Sequence, residues 1–357
     1  MSKPRVGVLP YAFGLALAIL SVVPARSATD ADRSEQAGLS IVKQFIVDHN
    51  ERLIAQAELL NAEAATYFEI VKAHAFDYGK AWDADGDRLA KTVNRMKPLW
   101  LEASNHYETI EGIVAGLPST AKYDLIIDAG NPGTDGEDVA PYDLTLPDGT
   151  VLERPGNLFH GLMEPAIWGM DPARVMLPAD LDGDGKVARS EVLFDANLVY
   201  GTTQALVHWA KEMLQDVRAW APNRDDAFTS IVTMTPTVGD YFGEWKESQF
   251  ITGDIGAFVA QSRLVDVQGI LGGCRKMYFD AVSPVVAEAD PVIDDQIRAG
   301  YDELLGLVEE TYARERAGHS FSPEEADSLG NEAQNIADRV VAQITQAASK
   351  LGVELKL

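Results

Sequence analysis

The sequence predicts an all-α protein made of two packed helical bundles. Apolar residues recur at spacings of three and four along the segments 42–60, 301–312 and 336–351, which is the pattern of amphipathic helices. Strand-like alternation is scarce, and its clearest case is a small hairpin expected over 142–153. A chain of 357 residues is long enough to bury the cores of two such bundles.

Three further segments, 87–117, 189–219 and 257–288, also have helical character. The start of the last helix is marked most clearly. Ser322 can cap its first turn, the proline that follows fits the first helical position, and Glu325 can complete a capping box.

A stretch rich in glycine, aspartate and proline at 130–156 is the best candidate for a linker or a long functional loop. It divides the expected mature chain into an N-terminal helical bundle with an acidic loop, at 28–155, and a C-terminal helical bundle at 156–357. The second bundle contains an EF-hand-like loop at 180–191.

The chain is strongly acidic, with 30 lysines and arginines against 55 aspartates and glutamates and a formal net charge of −25. This charge excludes nucleic acid as a partner, because phosphate binding needs a basic surface, and it favours cations. The single cysteine excludes an internal disulfide framework and a cysteine-ligated zinc site. Zincin, nucleophile-elbow, P-loop and dinucleotide-binding motifs are absent, so we expect a protein without enzymatic activity.

The N-terminus has the pattern of an export signal. Lys3 and Arg5 precede an uncharged stretch at 6–25, and the small residues around Arg26 suit cleavage after Ser27. We therefore expect a protein that is exported to the periplasm, the cell surface or the extracellular space. An uncleaved membrane anchor is the alternative. Cleavage would remove three basic residues and no acidic ones, so the mature chain would be more acidic still.

The most specific motif is a calcium loop at 180–191, which matches the twelve-residue EF-hand template. Carboxylates occupy positions one, three and five, Gly185 permits the sharp turn at position six, and a glutamate at position twelve can close the site. The residues expected to bind Ca²⁺ are Asp180, Asp182, Asp184, Lys186 through its carbonyl, and Glu191.

The segments on either side of the loop indicate what bound calcium would do. The segment from Glu191 to Trp220 is predicted to be the exit helix, whereas Pro172 and Pro178 argue against a helix before the loop. Since a sensor needs a pair of helices that move, we expect a structural calcium site. A similar start at 83–87 lacks the glycine and the closing glutamate and is predicted to be an acidic turn between helices.

Three pairs of candidate transition-metal ligands are spread along the chain. In each pair the two residues are three or four apart, so that on a helix they share one face. Alone, each pair is more typical of a solvated or salt-bridged helix face. Together, an imidazole and several carboxylates suit iron, copper, zinc or manganese, without selecting among them. The pairs are Glu108 and Glu111, Asp124 and Asp128, and His160 and Glu164.

Four elements of the sequence resemble the imelysin family, which includes EfeO/EfeM-like periplasmic iron-uptake proteins. They are the Tyr-Glu-x-x-Glu element at 107–111, the aspartates that follow it, the Phe-His…Glu…Trp-Gly element at 159–169 and the run at 321–353. The resemblance implies two four-helix bundles with a metal site in the cleft between them. It also implies capture of iron, or another divalent or transition metal, for a membrane iron transporter.

The resemblance assigns ligands residue by residue. Glu108 and Glu111 match the paired carboxylates of the family, and His160 with Glu164 matches its His-x-x-Glu motif. This chain has three residues between the histidine and the glutamate instead of two, and Pro165 follows at once. Either side chain could therefore be displaced from the shared site.

One position of the family pattern has two candidates in this chain, and one motif of the chain lies outside the pattern. Asp124 and Asp128 compete for the position of the family's aspartate. The calcium loop is not part of the basic family pattern. Elsewhere, His49 is expected to pack in its helix, and Glu244 is expected on a solvated face.

We therefore expect an exported metal-binding protein that captures iron or another transition metal and carries a structural Ca²⁺. The first alternative is a calcium-stabilised surface or interaction module without transition-metal function. The second is a metallopeptidase on the same scaffold, although no residues in recognisable spacing supply an activated water with a general base.

Overall fold

The computed structural model describes residues 28–252 and 258–356. The expected export signal at 1–27 lies outside the described residues. Within the two described ranges, no helix is both long and apolar enough to cross a membrane. Helices dominate these ranges, and the strands found in them form only two short pairs, so the predicted all-α class is confirmed.

The elements follow one another in a simple order. The α-helices are α1 (Asp30–Ala73), α2 (Tyr78–Val114), α3 (Lys122–Ile127), α4 (Glu164–Ile167), α5 (Ala196–Ala219), α6 (Arg224–Met234), α7 (Val238–Glu247), α8 (Arg263–Met277), α9 (Ser283–Ala289), α10 (Pro291–Arg316) and α11 (Pro323–Leu351). Two π-helical turns span Leu158–Met163 and Tyr278–Val282, and a 3₁₀ turn spans Thr235–Thr237. The antiparallel hairpins are β1 (Leu144–Thr145) with β2 (Val151–Leu152), and β3 (Val175–Pro178) with β4 (Val192–Phe194).

Helix α1, 44 residues long, packs along both α2 and α5. Polar contacts join α1 to α5 along its length: Thr203 Oγ1 donates to Asn61 Oδ1 at 3.0 Å, and Arg218 pairs with Glu51 at 2.6 Å. Helix α5 lies on the C-terminal side of the predicted boundary at 155/156, so packing crosses that boundary. The boundary itself stays a prediction.

A second group of helices consists of α7, α8, α10 and α11, and the C-terminal half of α2 packs against α8. Glycines permit this close approach. A Cβ at Gly112 would lie 2.0 Å from the Ile270 carbonyl oxygen, and one at Gly269 would lie 3.0 Å from the Glu108 backbone. The crossing places the carboxylates of α2 beside the first turn of α8.

Several sequence predictions agree with these elements. Helix α1 contains the segment 42–60, and the β1–β2 hairpin lies within 142–153. Ser322 and Glu325 form the predicted capping box, with Pro323 at the first helical position.

The prediction of a helix over 189–219 is wrong at its start, as is the exit helix predicted from Glu191. Residues Val192–Phe194 form strand β4, and α5 begins only at Ala196. The cap explains the start, because the Asp195 side chain accepts hydrogen bonds from the first amides of α5. The acidic segment at 83–87, predicted to be a turn, lies inside α2, where only Asp85 departs from helical geometry.

Candidate metal centre

Side chains from α2, α3, the first π-helical turn and α8 meet in a buried group of charged residues. Ligand atoms of Glu108, Glu111 and Asp128 all lie within 4.8 Å of one another, and so do those of Glu108, His160 and Asp266. Each of these five residues is buried. The two sets share Glu108, and together they are called the buried cluster below.

The carboxylates of α2 enter the cluster from one face of the helix. Glu108 and Glu111 are 2% and 0% exposed, and Oε2 of each has no hydrogen-bond partner. Glu111 Oε1 accepts a hydrogen bond from the Tyr241 hydroxyl. Because buried carboxylate oxygens without partners are energetically costly, two such atoms side by side suit a bound cation or protons.

The structure distinguishes between the two aspartates of α3. Asp124 accepts a hydrogen bond from the Tyr107 hydroxyl at 2.8 Å. Asp128, at the end of α3, points into the cluster with a fully buried side chain, and neither of its oxygens accepts a hydrogen bond. Only Asp128 belongs to the group of converging donors.

The extra residue between His160 and Glu164 is taken up by the π-helical turn at Leu158–Met163, since such a turn has a wider hydrogen-bonding period than an α-helix. Asn157 caps this turn by accepting from the His160 and Gly161 amides at 2.8 Å each. Pro165 falls in the first turn of α4, where its missing N–H is tolerated. His160 and Glu164 therefore remain in contact, with Nδ1 and Oε2 2.7 Å apart.

Both oxygens of Glu164 are already engaged. Oε2 contacts His160 Nδ1, and Oε1 accepts hydrogen bonds from the Val259 and Ala260 amides at 2.8 Å each. With Nδ1 turned to Glu164, His160 Nε2 faces the cluster, 3.2 Å from Asp128 Oδ1 and 3.8 Å from Glu108 Oε1. Nε2 makes no hydrogen bond there. A carboxylate behind a histidine in this way is the usual support of a metal ligand.

Sequence reasoning missed three residues of this region. Asp266 lies within the cluster, Arg263 lies next to it, and Tyr241 donates to Glu111. Arg263 and Asp266 are three apart on α8, a spacing that is common on solvated helix faces and gives no distinguishing signal. Glu244, expected on a solvated face, accepts a hydrogen bond from Arg263 Nε at 2.8 Å.

Burial and mutual repulsion shape the protonation of the cluster. Burial raises the pKa of Glu108 to about 8, with the charge of Asp128 adding to it, and burial raises the pKa of Glu111 well above its usual range. Burial acts to lower the pKa of His160, but the charges of Asp128 and Glu164 outweigh it and raise that pKa well above its usual value. Burial also opposes ionisation of Asp128, yet the charge of His160 lowers the pKa of Asp128 to about 2. Protons thus balance part of the negative charge of the cluster.

The family described as Peptidase M75, imelysin, matches residues 46–347, which is most of the sequence. The chain belongs to the imelysin family. No curated protein matches it. The imelysin match spans every residue of the buried cluster and also the acidic loop at 180–191.

That loop connects β3 to β4 and is held by hydrogen bonds between its own carboxylates and amides. Asp180 accepts from the Gly183 and Gly185 amides at 2.7 and 2.9 Å, and Gly185 has the left-handed φ of +82° that the template requires of a glycine. The carboxylate of Glu191 folds back to accept from the amides of Leu181, Asp182 and Ala188.

Three of the predicted calcium ligands converge in the loop. Ligand atoms of Asp180, Asp182 and Glu191 lie within 4.8 Å of one another. Asp184 is outside this group, and its Oδ1 accepts from the Lys186 amide at 2.7 Å. A loop with three converging carboxylates fits the hard oxygen ligands that Ca²⁺ prefers.

Proposed function

We propose that this imelysin-family protein is an exported metal-capture protein whose cargo is iron or another transition metal. On this proposal the cargo binds in the buried cluster, and a Ca²⁺ ion stabilises the loop at 180–191. The protein would pass its cargo to a membrane transporter, as in the EfeO/EfeM-like proteins that the sequence resembles. The observation that carries the proposal is the set of buried donor atoms without hydrogen-bond partners that face one another.

The donor types support a transition metal as the cargo. We assign the ligands as Glu108, Glu111, Asp128 and His160, which supply carboxylate oxygens and one imidazole nitrogen. Calcium and magnesium prefer oxygen ligands alone, whereas imidazole suits iron, copper, zinc and nickel. Both oxygens of Glu164 are engaged elsewhere, so we assign it the positioning of His160.

The charge of the chain supports capture from dilute solution. A formal net charge of −25 raises the concentration of cations near the surface and their rate of association. Inside the cluster, a bound cation would replace protons on Glu108, Glu111 and His160. Binding would then release protons, which is the usual behaviour of metal sites built from titratable ligands.

The position of the loop supports a structural role for calcium. It joins two strands that pair with each other, and the entry and exit segments are not helices. Asn94 of α2 donates to the Leu181 carbonyl at 2.7 Å, and Lys97 donates to the Ser190 carbonyl at 2.8 Å. A cation in the loop would therefore brace the hairpin against α2 without a pair of helices to move.

We do not propose peptidase activity, although the family description contains the word peptidase. A metallopeptidase must bring a peptide bond to an open coordination position on its metal. The exposed fractions of Glu108, His160 and Asp266 are 2%, 7% and 1%, which leaves a polypeptide no access to His160 Nε2.

Elemental analysis of the mature chain, purified without chelators, tests the proposal. We expect one transition-metal ion per chain in addition to calcium. A Glu108→Gln/Glu111→Gln variant should keep the calcium and lose the transition metal. The control is Glu309→Gln/Glu310→Gln, which makes the same charge change on the exposed face of α10 and should keep both. An unchanged transition-metal count in the first variant would refute the assigned site.

A further inference from the structure

Arg263 is the only described lysine or arginine that is buried, with 2% of its surface exposed. It begins α8, where that helix meets α2. A buried guanidinium cannot lose its proton, so it is a permanent positive charge beside the buried cluster.

Contacts outside the proposed cargo ligands hold Arg263 in place. Its Nε donates to Glu244 at 2.8 Å, and its Nη1 donates to Asp266 Oδ2 at 3.0 Å. The rings of Tyr241 and Phe258 have centroids 4.5 and 4.4 Å from the guanidinium carbon. Ion pairs and aromatic contacts therefore fix both the plane and the position of the guanidinium.

Towards the cargo ligands, Arg263 acts at longer range. Its Nη1 lies 3.8 Å from Glu108 Oε1, and its Nη2 lies 3.7 Å from Asp128 Oδ2. These distances are too long for hydrogen bonds but short for charges in a buried site. Arg263 thus offsets negative charge without occupying the oxygen atoms that a metal needs.

The arrangement of donors has the form of a site for two cations. One set of donors is Glu108, Glu111 and Asp128, and the other is Glu108, His160 and Asp266. Two-metal sites place their ions about 3.5–4 Å apart with carboxylates shared between them. Here the Nη1 atom of Arg263 lies 3.8 Å from Glu108 Oε1 and 3.0 Å from Asp266 Oδ2, so the guanidinium is already a cation beside both carboxylates of the second set.

We propose that Arg263 is a built-in second cation that limits the buried cluster to one metal ion. This inference rests on the proposed function, because it takes the cluster to be the cargo site. It goes further by assigning the capacity of that site to a residue that is not a ligand. Asp266 accepts hydrogen bonds from Arg263 and from Gln261 Nε2, the latter at 2.6 Å. On this proposal its carboxylate can bind a metal only when Arg263 is replaced.

The competing explanation is that Arg263 only holds α8 in place. Removing it would then weaken folding or metal binding but would not create a place for another ion. Charge limitation instead predicts a gain of one bound ion, because the carboxylates of Glu108 and Asp266 would become free to hold a second cation while His160 Nε2 binds the first. The number of bound ions separates the two explanations, whereas stability does not.

The test counts Zn²⁺ ions bound to the mature chain by equilibrium dialysis in buffer with excess Ca²⁺, which keeps the acidic loop filled. We expect one Zn²⁺ per chain for the wild type, two for Arg263→Met and one for Arg263→Lys, which restores the charge. Arg275→Met removes an arginine from the exposed side of α8 and should leave the count at one. Arg263→Met combined with Asp266→Asn should return it to one, because the second set loses a carboxylate.

A count of one for Arg263→Met with a cooperative thermal transition, or a count of two for the wild type, would overturn the inference and leave the proposed function standing. A count of zero for the wild type would instead overturn the proposed function. If Arg263→Met does not fold, Arg263→Gln keeps a polar group for Asp266 and Glu244 while removing the charge. It should also bind two ions, and a count of one would overturn the inference equally.

Discussion

The acidic loop at 180–191 and the buried cluster both contain several carboxylates, but these carboxylates differ in how they are hydrogen-bonded. In the loop, Asp180 and Glu191 accept hydrogen bonds from nearby amides, and the donors come from twelve consecutive residues. In the cluster, donors from four elements converge, and several of their atoms have no hydrogen-bond partner. The loop can therefore hold its shape by local bonds, whereas the cluster needs protons or a metal to balance its charge.

The largest expected effect concerns the only nitrogen donor assigned to the cargo. His160→Ala should weaken transition-metal binding by more than about a hundredfold, because direct ligands matter more than the residues that support them. Calcium binding should not change. Isothermal titration calorimetry with Zn²⁺ measures the transition-metal affinity, and the same titration with Ca²⁺ measures calcium binding.

His49→Ala is the matched control for that variant. His49 lies on α1, where its ring contacts those of Phe45 and His106 instead of the cluster. We expect its zinc affinity to equal that of the wild type. Equal losses in the two variants would mean that the buried cluster is not the site.

Acid should weaken the buried site much more than the loop. Since burial raises the pKa of Glu108 to about 8 and raises that of Glu111 well above its usual range, lowering the pH below 8 adds competition by protons for these ligands. Zinc affinity should fall by about tenfold or more per pH unit between pH 8 and pH 6. Titrations in buffers of different ionisation enthalpy should also show proton release, and a flat affinity across this range would contradict the assignment.

Replacing the residue that positions His160 should have an intermediate effect. Glu164→Gln should keep one bound transition metal but weaken its affinity by roughly 10- to 100-fold, because the acceptor for His160 Nδ1 is lost or weakened. Glu247→Gln, an equal charge change on an exposed residue of α7, should have no effect. Complete loss of metal in Glu164→Gln would indicate that Glu164 is itself a ligand.

The smallest effect on cargo binding is expected from the loop, whose role is stability. Free Ca²⁺ at a hundred times its dissociation constant should stabilise the fold by about 2.7 kcal/mol. Thermal melts with calcium and with chelator should differ for the wild type and coincide for Glu191→Gln. Asp87→Asn, an exposed change on α2, should still respond to calcium, and coincident wild-type melts would refute the structural role.

The two regions also differ in how far the sequence predicts them. The loop is contiguous, so spacing alone identifies its ligands and the glycine at 185, which has the left-handed φ. The helix after the loop begins later than predicted, because the Glu191 carboxylate turns back into the loop and Asp195 provides the cap. In the cluster, periodicity places Glu108 and Glu111 on one face of a helix, but it cannot say what that face meets.

The features of the cluster that the sequence does not predict depend on contacts between segments that are far apart in the chain. The choice of Asp128 over Asp124 follows from a tyrosine hydroxyl that engages Asp124. The extra residue after His160 leaves the contact between His160 and Glu164 intact because the chain forms a π-helical turn there. Arg263 and Asp266 reach the cluster because glycines let α2 and α8 approach, and no local pattern in the sequence records that approach.

Anomalous diffraction from crystals of the iron-loaded protein tests the central claim most directly. Data on the two sides of the iron absorption edge locate iron without confusing it with calcium. We expect one iron peak within coordination distance of His160 Nε2 and the carboxylates of Glu108, Glu111 and Asp128. An iron peak only in the loop at 180–191, or no peak at the buried cluster in fully loaded protein, would contradict the account.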